Sequence, residues 1–285
     1  MRGDLAAAAD LLTQALQRAP SFASAWFALG EIRERLGDRA GAIEAFKRAQ
    51  GADPEDPHGA ALRLARLGAA EARKAMPQAY VKTLFDQYAP RFDAALAHLD
   101  YRGPALLRAR LQSALNEQGR SIHFQRIIDL GCGTGLAAAA FRQAADEIIG
   151  IDLSPAMISE ARRKGLYDRL ASGDMLAFLC AEDERSADLV LAADVLVYVA
   201  DLVPVCCAVA RVLHAQGLFA LTVETHAGTG VVLGEKLRYA HAADYLWAAL
   251  SAAALDVIAL DPASTRVETG STVPGLIAIA QRRAD

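Results

Sequence analysis

Three aspartates, Asp129, Asp152 and Asp174, each stand at the end of a short apolar run, and Gly131, Gly133 and Gly135 follow the first at alternate positions. A carboxylate beside a glycine turn can meet a cationic ligand group. Glycines let backbone N–H groups come close to a bound molecule. Asp152, about twenty residues beyond the first glycine, is placed to hold both hydroxyls of a ribose. Asp174, in Ser172-Gly173-Asp174-Met175, can accept from an exocyclic amine such as that of adenine. The spacing predicts a nucleoside-containing ligand that also carries an ammonium group.

The elements that must position these residues follow from periodicity. Ile127 and Ile128 lead into the glycines, and an alanine-rich run reaches Phe141, the pattern of a buried strand, a tight turn and a helix. From residue 126 onward strands and helices alternate. Strands are predicted at 126–130, 147–151, 169–172, 187–192, 217–223, 255–260 and 276–281. Helices are predicted near 136–145, 155–164, 202–214 and 241–253. Such alternation makes an α/β doubly wound sheet whose ligands gather at the carboxyl ends of the strands.

Two cofactor classes use this layout. A dinucleotide site wants G-x-G-x-x-G and a helix N-terminus facing a pyrophosphate. Here the spacing is G-x-G-x-G, and Asp129 beside the loop would repel a diphosphate. The stretches 129–135, 150–158, 173–175 and 188–194 resemble, in order, those of the class I S-adenosylmethionine-dependent methyltransferases. That resemblance implies a Rossmann-like doubly wound sheet of seven strands, the last antiparallel, over about residues 80–282. It implies S-adenosylmethionine as cofactor, held by Asp129, Gly131, Gly133, Gly135, Asp152, Leu153, Met157, Asp174, Met175 and Asp194. No metal is expected.

A second resemblance lies upstream. Trp26, Leu29, Gly30, Ala42, Phe46, Ala49 and Pro54 stand at the offsets of a 34-residue tetratricopeptide repeat. One repeat length earlier, Ala8, Leu12, Ala15 and Pro20 occupy the matching later positions. Arg33 replaces the usual aromatic of the first helix. Small residues let two helices approach, and Trp26 and Phe46 fill the groove. About three repeats are normally needed for stability, so one and a half must lean on something. A brace, self-association and a protein-recognition module all stay open. Met1 falls within a repeat, which also allows a chain that begins further upstream. The chain is therefore expected to divide into an all-α repeat-like segment at 1–70, a helical bridge and cofactor lid at 71–120, and the cofactor-binding domain at 121–285.

In the bridge, Leu84, Phe85, Tyr88 and Phe92 recur at helical spacing. The phrase from Tyr80 to Asp93 is similar to the segment before the sheet in methyltransferases joined to such repeats. The resemblance places Tyr80 and Tyr88 near the methionine end of the cofactor. Phe85 and Phe92 read as core packing.

Methyl transfer from an activated sulfonium needs orientation and exclusion of water, and for some acceptors a base. The candidates beyond the fourth and fifth strands are Tyr198, His226 and His241, with Asp194, Glu224 and Tyr245 near them. Arg238 or Arg266 could clamp a carboxylate on the acceptor. His58, His98, His123 and His214 read as surface or packing residues. No motif for a planar amine follows strand four, which tilts the acceptor toward a small molecule, or a protein side chain delivered by the repeats. The rivals are an NAD-dependent oxidoreductase, weakened by the glycine spacing, and a cofactor-binding scaffold without transfer.

Composition bounds the rest. A formal net charge of −4 over 285 residues argues against nonspecific nucleic-acid binding. Hydrophobic residues make up 53%, but charges break every long apolar run, so no membrane span is predicted. The N-terminus lacks a signal-peptide pattern. Cys132, Cys180, Cys206 and Cys207 lack metal-ligand spacing and read as buried free thiols in a reducing cytoplasm.

Overall fold

The computed structural model describes residues 2–284. They form two compact units, one comprising the residues up to Leu84 with Leu233–Arg238, the other Phe85–Val232 with the residues from Tyr239 on. The expected bridge at 71–120 is thus divided between them.

The first unit begins with α1 (Arg2–Arg18), α2 (Ala23–Leu36), α3 (Arg39–Ala52) and α4 (Ala60–Arg66), packed in succession. A Cβ on Gly30 would lie 2.6 Å from the buried Phe46 ring, so the small residue is what lets α2 and α3 close. Gly37, at φ +84°, ends α2 in the left-handed region, and the Asp38 carboxylate caps α3 by accepting from Gly41 N at 2.9 Å. Arg33, the departure from the repeat pattern, donates to Gly41 O at 3.1 Å and so ties the same two helices. Asp56 is buried and accepts from Ala60 N and Ala61 N, both at 2.7 Å, which caps α4.

The second unit contains the end of α5 (Gln78–Tyr88), then α6 (Phe92–His98) and α7 (Gly103–Glu117) before the sheet. Its main strands are β1 (Phe124–Leu130), β2 (Ala145–Asp152), β3 (Arg169–Ser172), β4 (Ala187–Ala192), β5 (Leu213–Glu224), β6 (Leu255–Ala263) and β7 (Gly275–Arg282). Between them run α8 (Leu136–Phe141), α9 (Pro155–Lys164), α10 (Met175–Ala181), α11 (Val203–Val212) and α12 (Ala243–Ala252). The order across the sheet is β3-β2-β1-β4-β5-β7-β6, and two short strands join off this path. β1 to β5 pair in parallel along that order, while β7 is antiparallel to both β5 and β6. Both faces of the sheet are buried, with Ile128 and Leu130 on one side and Ile127 on the other, as a strand's two-residue period requires.

Three local expectations change. The sequence pattern does not predict helix α10, α11 ends at Val212 so that His214 lies in β5, and His241 ends a short strand, Tyr239–His241, rather than starting a helix. All four cysteines are free, but only Cys132 and Cys206 are buried; Cys180 and Cys207 are exposed. Among the described residues no helix is long and apolar enough to cross a membrane.

Candidate functional site

The topology brings the ends of β1, β2 and β3 side by side, and with them Asp129, Asp152 and Asp174. Asp152 ties the arrangement together. One of its carboxylate oxygens accepts from Gly133 N at 2.9 Å, and the other from Ser154 N at 2.8 Å. The glycine turn after β1 is therefore held from the end of β2. Burial raises the Asp152 carboxyl above its ordinary value, against the lowering by these two amides.

Gly131, Gly133 and Gly135 all sit in the left-handed region, at φ +60°, +53° and +96°. Their reasons differ. A Cβ on Gly131 would overlap the Val195 side chain, and one on Gly135 would lie 3.0 Å from the Tyr167 ring. Only at Gly133 is there room, with Phe92 at 3.7 Å. Two of the three glycines thus admit protein neighbours, and the middle one leaves space. Gly131→Ala should cost roughly 2–5 kcal/mol, combining about 1–2 for a left-handed L-residue with about 1–3 for overpacking. Denaturant unfolding measures it, and a loss of only about 1–2 kcal/mol would mean that Val195 yields freely.

Asp129 is 1% exposed, and Tyr167 donates to its Oδ2 at 2.6 Å. Burial pushes its carboxyl up to about 7; the Tyr167 bond opposes the shift and the charge on Asp152 adds to it. Ser154 caps α9 through Met157 N at 3.1 Å, and the Met157 side chain is buried beneath. Leu153 and Met175 are half-buried beside the acids they follow. Asp174 is the N-cap of α10, accepting from Ala177 N at 2.8 Å.

Residues 85–98 are fastened to this end of the sheet by two carboxylates that no sequence motif marks. Asp86 Oδ1 accepts from Ser154 Oγ at 2.6 Å and from Ala156 N at 3.2 Å, at the start of α9. Asp93 accepts from Thr134 Oγ1, within the glycine turn, and pairs with Lys164 at 2.5 Å. Phe92 reaches the Gly133 turn, and Phe85 meets the Tyr198 ring edge-on, with centroids 5.3 Å apart. These two phenylalanines, expected only as core, reach the glycine turn and Tyr198. Tyr88 is half-buried and packs edge-on against Phe92 at 5.6 Å. Tyr80 lies in the helical unit, packed with Leu62, Ala75 and Leu237 and against Gly59, and Arg238 belongs to that unit too. Tyr80 and Arg238 thus belong to the helical unit, and Tyr88, His241 and Tyr245 to the sheet unit.

The expected acceptor side is tied up in structure. His241 is fully buried, its Nε2 lies 2.9 Å from Val199 O, and its ring stacks on Tyr245 at 5.7 Å. That is a packing environment, and it speaks against His241 as a catalytic base. Tyr245 OH accepts from Leu202 N at 2.9 Å. His226 organises its own loop: Nδ1 accepts from Gly228 N at 3.2 Å, and Nε2 lies 3.3 Å from Gly230 O. Tyr198 remains half-buried beside Phe85. Arg266 is not a clamp for a ligand carboxylate. It is 7% exposed, and its guanidinium spans Asp194 at 3.4 Å, Glu268 at 2.7 Å and Glu224. Asp194, at φ +55°, also accepts from Thr222 Oγ1 at 2.9 Å, so this acid serves the ends of β4 and β5 rather than the β1–β3 group.

The residues present fit S-adenosylmethionine. Asp152 offers acceptors to a ribose, Gly133 leaves room beside its Cα, and Asp129 offers a buried carboxylate to an ammonium. Residues 128–221 match the family model of a methyltransferase domain, and residues 2–57 match that of a tetratricopeptide repeat. The comparison with curated proteins gives no match. Among solved structures, the (4+2)-cyclase SpnF is 16% identical with a TM-score of 0.59, covering 72% of this chain and 96% of its own. The 1,6-didemethyltoxoflavin-N1-methyltransferase of Burkholderia thailandensis, with 1,6-didemethyltoxoflavin and S-adenosylhomocysteine bound, is 18% identical with a TM-score of 0.55; the match covers 73% of this chain and 91% of that one. A Haloferax volcanii protein in complex with the Trm112 methyltransferase activator is 21% identical with a TM-score of 0.52, over 70% and 98% of the two chains. The chain carries a class I methyltransferase fold behind a tetratricopeptide-repeat segment.

Proposed function

We propose that this chain transfers the methyl group of S-adenosylmethionine to a small-molecule acceptor. The observation that carries the reading is the Asp152 carboxylate, which holds the open Gly133 turn while standing at the end of β2 beside Asp129 and Asp174. S-adenosylmethionine supplies an already activated methyl group. What remains for the protein is to bind, orient and exclude water. Asp152 would hold the ribose, Asp129 the ammonium, and Asp174 with Met175 the adenine. Residues 85–98, pinned by Asp86 and Asp93, would cover the site, with Tyr88 toward the methionine end.

His226 and His241 both have ring nitrogens within hydrogen-bond distance of backbone oxygens, so neither stands out as a base. This favours an acceptor that is nucleophilic without help, with Tyr198 orienting it. Calorimetry with S-adenosylhomocysteine, followed by a metabolite panel scored for its release from S-adenosylmethionine, tests the proposal. Binding of roughly micromolar strength or tighter, about 8 kcal/mol, is expected, with NAD much weaker. Equal binding of NAD would sink it. A second reading is a cofactor-binding scaffold, or a chemistry other than transfer, since a cyclase shares the fold. Binding without turnover across the panel would favour it. The repeat segment, which exposes Leu11 and Phe22, is proposed to engage a protein partner or a second copy. We place the enzyme in the cytoplasm.

A further inference from the structure

Tyr167 belongs to none of the sequence motifs, yet it meets the glycine turn, β2 and Asp129 together. It follows α9, and its neighbour Asp168 anchors the turn to β2: Asp168 N donates to Ile148 O at 2.9 Å, and its carboxylate accepts from Ile148 N and Arg142, both at 2.7 Å. Held there, the Tyr167 ring fills the space left by two glycines, since a Cβ on Gly150 would lie 2.8 Å from it and one on Gly135 3.0 Å. Its hydroxyl ends 2.6 Å from Asp129 Oδ2. A bulky ring is accommodated at two backbone positions, and its one polar atom lands on the one buried carboxylate of the turn.

We propose that Tyr167 is a positioning residue for cofactor binding, which fixes the Asp129 carboxylate and keeps it in the anionic form that a ligand ammonium requires. The inference rests on the reading of the site as one for S-adenosylmethionine. Oδ2 is engaged by the hydroxyl, which leaves Oδ1 for the ligand. The titratable groups around Asp129 are Tyr167 from the turn after α9, Cys132 from the glycine turn, Asp152 from β2, and Tyr101 from the segment before α7. Asp152 and an ionised Cys132 or Tyr101 would oppose a negative Asp129, whereas the Tyr167 hydrogen bond favours it. Burial puts the Asp129 transition at about 7, so cofactor affinity should rise as pH increases through neutrality.

The test is calorimetry with S-adenosylhomocysteine between pH 6 and 9 on the full chain and on Tyr167→Phe, which keeps the ring and removes only the hydroxyl. Loss of a hydrogen bond to a buried charge should move the transition up by about one pH unit. The variant should then bind roughly fivefold more weakly at pH 7 and match the parent by pH 9. In an Asp129→Asn background the same substitution should change nothing further. A penalty that is constant with pH, or that persists in that background, would mean the hydroxyl acts through packing and overturns the proposal. If Tyr167→Phe does not fold, Asp129→Asn alone decides: it should lose the rise in affinity between pH 6 and 8, and retention of that rise overturns the proposal. Failure of the parent chain to bind S-adenosylhomocysteine at any pH would instead refute the cofactor reading itself.

Discussion

Asp152→Ala is expected to abolish measurable cofactor binding while leaving the sheet folded. Two losses combine. Removing the acceptor for the ribose hydroxyls costs about 1–3 kcal/mol on its own. The same carboxylate also accepts from Gly133 N and Ser154 N, so truncation strands two amides and frees the turn that faces the ligand. Asp152→Asn should fare little better, although it is nearly the same size. Each oxygen of Asp152 faces an N–H group, so the amide nitrogen of an asparagine must confront one of them, donor against donor. Calorimetry with S-adenosylhomocysteine should show at least about a hundredfold loss for alanine, the equivalent of roughly 3 kcal/mol. Near- and far-ultraviolet circular dichroism of the unliganded variant should match the parent. Retained binding in Asp152→Ala would remove Asp152 from the site and leave the glycine turn without its assigned ligand.

Most of the strands that carry these residues are legible because they are short β-branched or leucine-rich runs, and the observed ends differ from the expected ones by a few residues. The gap between β3 and β4 is not legible. In sequence Asp174 reads as a ligand for an amine, and the same side chain is also the cap that starts α10. One carboxylate can satisfy both readings, and sequence shows no preference. The glycines illustrate a different limit. Their spacing marks the turn, but Gly131 and Gly135 are small because of Val195 and Tyr167, residues 64 and 32 positions further along the chain. No local pattern encodes such a meeting. His241 is a candidate because it follows strand five and Arg266 because a guanidinium can clamp a carboxylate, and neither reason says which way a side chain turns. Both turn inward, one to Val199 O and the other to three acids.

Arg266→Met should be among the most destabilising single substitutions in the sheet unit. The guanidinium is 7% exposed and forks to Asp194, Glu224 and Glu268, whose side chains are 15%, 16% and 16% exposed. The three come from the end of β4, the end of β5 and the short strand Val267–Glu268, so one cation binds segments far apart in sequence. Methionine keeps much of the volume and removes the charge. What remains is a set of crowded carboxylates facing one another, the situation in which breaking a buried ion pair costs roughly 3–5 kcal/mol. Arg266→Lys should recover only a fraction of this, because an ammonium is a single point and cannot reproduce a planar fork to three acceptors. The sign of the pH dependence separates this from lost packing. In Arg266→Met a proton taken up by the folded cluster relieves repulsion, so stability should be regained as pH falls from 8 to 5. A packing defect would persist at both values. Thermal melts of parent and variant at the two pH values measure the difference. If the gap between them does not narrow at pH 5, the cluster is not held together by charge.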